Sequence, residues 1–173
     1  MIDKKSNFVM CHYFHDLKKF KKITGSISKI KFSKIVKKNL SKKLIYTFDD
    51  SLRSQFYIAK PILEKYNLRG IFFMNTFQLE KKYNYHEISK FFCKFHYKDL
   101  NDYSINFLNF LGNKLYFSKK EIEKIKKKNP FYSEVEIKLR IVRAKNIALY
   151  NKILVRMFES KKFNYKNFQK KIY

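Results

Sequence analysis

The chain has 173 residues, enough for one domain with a real core, and its 45% hydrophobic content excludes an intrinsically disordered protein. Forty Lys and Arg against 14 Asp and Glu give a formal charge of +26, which invites a polyanion partner. Two cysteines exclude a disulfide framework or a zinc ribbon, and no stretch approaches the length of an apolar membrane span.

The residue types qualify the charge. Five of the basic residues are Arg and the rest Lys, with only three Gly and two Pro. That is the alphabet of AT-rich codons, which would write almost any fold this way. Phosphate and base recognition favours the planar fork of Arg. Most of the charge is therefore assigned to codon usage and no nucleic-acid partner is expected. A basic module for nucleic acid or acidic glycan stays as the second reading, distinguishable by the salt dependence of DNA binding. The apolar patch in Met1–Phe14 is too short for a signal-peptide core. The chain reads as a cytoplasmic protein with two reduced thiols, Cys11 and Cys93.

In chain order, residues 7–14 form an apolar run that predicts a buried strand ending near His12. Gly25 and Ser26 mark a turn, and Phe32, Ile35, Val36 and Leu40 recur at helical spacing. Leu44 to Phe48 is a β-branched and aromatic run that stops at Asp49 and Asp50. A helix follows, with Leu52, Phe56, Ala59, Ile62, Leu63 and Tyr66 on one face, and Pro61 expected to kink or restart it. Ile71 to Asn75 reads as a second buried strand, so the segment forms a βαβ unit with parallel strands. Beyond residue 80 the pattern becomes helical, over 85–97, 99–111, 118–128 and about 135–160. Ser118 and Glu121 fit a capping box, and Asn129-Pro130 is a break. The Lys-rich tract 124–128 reads as a solvated helix face.

Two adjacent carboxylates at the carboxyl end of a buried parallel strand stand where active sites sit in α/β folds. On an extended segment they should point to opposite sides and take different jobs, one holding a metal ion and the other accepting a proton from its water. An Asp pair after a strand also caps a following helix, and spacing by itself leaves both roles open. His12 is either a pocket residue that binds substrate or orients Asp49, or a satisfied core histidine. His15, His86 and His96 read as surface or interhelical residues.

Tyr46-Thr47-Phe48-Asp49-Asp50-Ser51, then Ala59 to Asn67 with its Pro-Ile-Leu, then Gly70-Ile71-Phe72-Phe73, resembles the first motif of the polysaccharide deacetylase (NodB homology) family. Val9 to Tyr13 is similar to that family's first strand. Asn129 to Ser133 and Leu139 to Arg143 are similar to a helical insertion in one of its branches. The resemblance implies an α/β fold, part of a distorted β/α barrel, with residues 1–78 as its strand and helix portion and 79–173 as a mainly helical insertion. The 173 residues are then a single incomplete catalytic domain. It further implies a metal-dependent deacetylase of N-acetylated sugars, a carbohydrate substrate and a divalent metal, zinc by expectation. Asp49 takes the role of general base, Asp50 that of metal ligand, and His12 and Ser51 line the pocket. No His-x-x-x-His pair is present, so the metal site is expected to be incomplete and the isolated chain inactive, an inactive remnant being the limiting case. Ser51 replaces the family's Gly and is expected to strain the turn. Without further strands, the sheet is expected to leave an apolar edge open.

Overall fold

The computed structural model describes residues 7–16, 18–23, 25–42, 44–76, 80 and 82–173. The chain divides into two compact units, Met1–Tyr83 with Phe168–Tyr173, and Asn84–Asn167. The first carries all the described strands and the second is helical.

The strand-bearing unit is an α/β structure. Strands β1 (Phe8–Cys11), β4 (Ile45–Phe48) and β5 (Gly70–Phe72) form a parallel sheet in the order β1-β4-β5. A two-residue parallel pair joins β2 (Phe14–His15) to β3 (Ile27–Ser28). Helix α1 (Lys29–Lys38) starts at Ser28, whose hydroxyl accepts from Lys31 N, and buries Phe32 and Val36. The expected βαβ unit is present: β4 and β5 are parallel, with α2 (Lys60–Lys65) between them. Among the described residues the strands form small open sheets and no closed barrel.

One face of the three-stranded sheet makes the core. Cys11, Tyr46 and Phe48 pack with Phe14, Phe32, Val36, Ile58, Ala59, Ile62 and Leu63. Phe48 lies at its centre, stacked on Phe72 with ring centroids 4.5 Å apart and flanked by Phe14 and Phe32. Gly70 is required by this packing, because a Cβ there would stand 2.9 Å from both Leu63 Cδ1 and Phe48 Cε2. The register gives the opposite face to Phe8, Met10, Ile45, Thr47 and Ile71. Phe8 and Met10 are 55% and 63% exposed, so β1 is not the strand buried on both faces that its apolar run suggests. An apolar run specifies burial only if a second layer exists to cover the far face.

Before α2 the backbone adopts a π-helical turn over Gln55–Ala59, closed by Lys60 N–H to Gln55 O. Pro61 explains it: without an N–H it cannot close the ordinary bond onto Tyr57, and the chain takes the wider turn instead. The extra residue rotates the helical face. Phe56, expected inside, is 58% exposed, and Gln55 and Ile58 are buried in its place, while Ala59 is buried as expected.

The helical unit holds α3 (Tyr85–His96), α4 (Leu100–Leu111), α5 (Lys119–Lys128), α6 (Glu134–Lys145), α7 (Ile147–Ser160) and the first turn of α8 (Tyr165–Ile172). Its core joins Ile88, Phe92, Phe107, Ile137, Val142, Ile153, Leu154, Met157 and Phe158, all fully buried. Helix α5 buries none of its residues, as expected for a Lys-rich solvated helix. Two expectations fail here. The helix expected over about 135–160 is two helices, because the Asn146 side chain accepts from Leu149 N and starts α7 afresh. Ser118 makes no side-chain cap, and the Glu121 carboxylate is engaged by Lys145 at 2.6 Å; the reciprocal capping box forms instead between Ser133 and Glu136. Cys93 is half-buried and Cys11 buried, both free, and burial pushes each thiol up to about 11.

His86 lies between α3 and α6, where Arg143 Nη1 stands 2.9 Å from its Nδ1. Burial first, then the nearby Lys90 and Arg143, lower its pKa to about 4; Glu87 opposes this and Arg140 adds to it. The folded protein therefore holds a neutral ring, while the unfolded chain takes up a proton near pH 6.5. Stability from this group is complete above that pH and is lost as pH falls toward 4, by at most about 1.4 kcal/mol per unit and less after solvent screening of a half-buried ring. Urea unfolding at pH 6.5 and 5.0 should show this slope, and His86→Asn should flatten it. An unchanged slope in the variant would rule the linkage out.

Candidate functional site

The site stands at the carboxyl ends of β1 and β4. Parallel pairing of Cys11 with Phe48 sets the residues that follow, His12 and Asp49, beside each other. His12 Nε2 is 3.6 Å from Asp49 Oδ2, and His12 Nδ1 is 3.3 Å from Asp50 Oδ2. The imidazole thus lies between two carboxylates, one at each ring nitrogen. All three side chains are partly open to solvent. This corrects the expectation that the two acids diverge. Asp50 has φ of 70°, so the backbone leaves the extended conformation there and returns the second carboxylate to the same imidazole.

Ser51 follows at φ of 53°, in the left-handed region that a Gly would enter without cost. The turn forms nevertheless. Ser51 Oγ donates to Phe73 O at 3.3 Å and accepts from Asn75 N at 3.2 Å, two bonds that Gly could not make. Ser51 therefore ties the β4 turn to the end of β5. Its side chain is committed to that structural link.

Two further residues belong to the site that the sequence reading did not single out. Gln55 is buried; its Nε2 donates to His12 O at 2.8 Å and also to Asp49 O, while its Oε1 accepts from Leu52 N at 3.2 Å. One amide thus clamps the ends of β1 and β4 and sets the spacing of His12 and Asp49. The available signal was a lone amide six residues after Asp49 on an otherwise apolar helical stretch. Asn75, just beyond β5, has a side-chain amide whose Nδ2 and Oδ1 are both withdrawn from solvent and without hydrogen-bond partners. His12 Nδ1 shares that condition, close to Asp50 but not aligned for a hydrogen bond.

Comparison with protein-family models, with curated proteins and with solved structures finds no match. The other histidines lie elsewhere. His15 Nδ1 is 2.9 Å from Ser26 Oγ, His86 meets Arg143, and His96 packs its ring on Phe92 and Phe163. Among the described residues, no three His, Cys, Asp or Glu side chains are grouped so as to hold a metal ion. No helix is long and apolar enough to cross a membrane among those residues.

Proposed function

We propose that this chain carries the carboxylate half of a metal-dependent deacetylase site for N-acetylated sugars, on part of a distorted β/α barrel. The observation that carries the reading is the convergence of His12, Asp49 and Asp50 at the carboxyl ends of adjacent parallel strands. That is the position of active sites in α/β sheets, where the strand ends offer polar groups without breaking the apolar core. The uncovered apolar face beneath it, with Phe8, Met10 and Ile71 exposed, supports a barrel portion, since parallel sheets are ordinarily covered on both faces.

In this reading a water adds to the acetamide carbonyl carbon and Asp49 accepts its proton. The carbon–nitrogen bond then breaks, giving acetate and a free amine that takes up a proton. His12, beside Asp49 Oδ2, orients the base. Asp50 and His12 are the donors this chain offers a divalent cation. Catalytic zinc centres use three protein ligands, so these residues do not by themselves make a complete one, in line with the missing His-x-x-x-His pair.

The test is a zinc titration of the full chain by calorimetry, with acetate release from an N-acetylglucosamine pentamer followed in parallel. Zinc should bind weakly, with Kd of about 10 µM or above for a two-ligand site, far from the affinity of a complete structural centre. Asp50→Ala should abolish that binding, Asp49→Asn should leave most of it, and acetate release should stay at background. Binding untouched by Asp50→Ala would remove Asp50 from the ligand role. Zinc-dependent acetate release by the chain alone would overturn the incomplete site.

A further inference from the structure

The helical unit carries a basic surface that the carboxylate site does not use. Helix α5 holds six Lys against two Glu, and Glu121 is already engaged by Lys145 of α6. Ile122 and Ile125 form its half-buried side, whereas Lys120, Lys124, Lys127 and Lys128 are exposed. Lys124 stands four residues from Lys120, and three and four from Lys127 and Lys128, so these lysines share the outward face, bordered by Glu123.

The turn at the end of this row presents an aromatic ring. Tyr132 N donates to Asn129 O at 3.2 Å, closing a turn with Pro130 and Phe131 at its corner. The Pro130 ring fixes one of the corner dihedrals. Lys126 Nζ bonds to Tyr132 O, and the Arg140 guanidinium covers the Tyr132 ring at 3.8 Å. The turn is thereby held in place, and it leaves Phe131 96% exposed. Tyr116, just before the other end of α5, is 87% exposed; among the described residues no large apolar side chain is more exposed than these two. Codon usage accounts for how many Lys, Phe and Tyr the chain has, not for where the fold leaves them.

We propose that the outward face of α5 binds single-stranded nucleic acid, with Lys124, Lys127 and Lys128 on its phosphates and a base stacked on Phe131. A cationic track beside exposed aromatic rings holds a single strand without sequence preference, because every base has a face to stack. Tyr116 offers a second platform at the far end of the helix. A duplex fits less well, since its bases are stacked on one another and closed to the ring. A lipid surface fits less well too: an interfacial helix turns an apolar face outward, whereas α5 turns its isoleucines inward. The site lies within the helical unit and is independent of the deacetylase reading.

The experiment follows the fluorescence anisotropy of a labelled oligo(dT) of about 15 nucleotides, alone and paired with oligo(dA), against the full chain between about 50 and 200 mM salt. The single strand should bind about tenfold more tightly than the duplex, because only its bases can stack on Phe131. Phe131→Ala should weaken it about tenfold at an unchanged salt slope, since a stacked base is lost and no phosphate contact. Phe131→Tyr should keep the affinity. Lys124→Gln, Lys127→Gln and Lys128→Gln together should flatten the slope of log K against log salt by about 2, at about 0.7 per phosphate contact on a single strand. The same change at Lys34, Lys37 and Lys38, exposed on α1, should leave most of the slope in place. Every substituted side chain is exposed, so the variants should fold, and thermal melts check that they do. Affinity unmoved by Phe131→Ala, or an equal flattening from the α1 set, would overturn the site and leave only diffuse charge. Equal affinity for the duplex would do the same, as would binding to phosphatidylserine vesicles without binding to the oligonucleotide.

Discussion

Phe48→Ala is expected to destabilise the strand-bearing unit by about 3–5 kcal/mol, the range for removing a buried aromatic ring without refilling its volume. Phe48 is fully buried and touches both layers of its core: Phe72 on the neighbouring strand, Phe14 from β2 and Phe32 from α1. Removing the ring leaves Phe14, Phe32 and Phe72 facing a shared gap. Domain stabilities are about 5–15 kcal/mol, so the loss would be a large share of the whole. Hydrogen exchange is the suitable measurement, since it resolves segments. Amides of Phe8–Cys11, Ile45–Phe48 and Gly70–Phe72 should lose protection, while those of α6 and α7 keep theirs. Protection unchanged in the three strands would show that Phe48 is not the keystone described above.

Gln55→Leu is expected to cost about 2–4 kcal/mol, although leucine matches the volume and suits a helix. The substitution strands Leu52 N, His12 O and Asp49 O at once. Each buried group left unpaired costs about 1–3 kcal/mol, moderated here because the strand ends lie near solvent. Gln55→Glu separates the two halves of the clamp. It keeps an acceptor for Leu52 N but has no hydrogens for the two carbonyls, so it should destabilise about as much as leucine. Urea unfolding gives the energies, and the His12 ring proton shifts report whether the imidazole leaves the carboxylates. A loss below about 0.5 kcal/mol in both variants would mean that water replaces the amide without penalty.

The clamp also shows where sequence reading stops. Asp49 and Asp50 were legible because two acids ending an apolar run are conspicuous under any reading. Their relation was not, because it turns on a left-handed φ at Asp50, which Asp tolerates but does not by itself specify. Ser51 was legible as a departure from a Gly position, but its compensation was not, since the partners Phe73 O and Asn75 N lie 22 and 24 residues away. Gln55 and Asn75 were passed over for the same reason. Each is one polar residue in an apolar context, and its meaning depends on what the fold brings opposite it. The helix expected over about 135–160 failed differently. Its hydrophobic period does run on, but Asn146 offers a local cap that competes with continuation.

The sequence by itself determined the α/β character, the parallel β4–β5 pair, the helices from Tyr85 to Lys128 and the place of the carboxylates, because these follow from local period and turn chemistry. Tertiary structure alone decided that β1 has an exposed face, that Pro61 is answered by a π-helical turn that moves Phe56 outward, and that one imidazole lies between two acids. The reason is the same in each case. A side chain's preference for burial or for a hydrogen bond is written in the chain, whereas the surface or partner that satisfies it comes from a distant segment and exists only once the strands are in register.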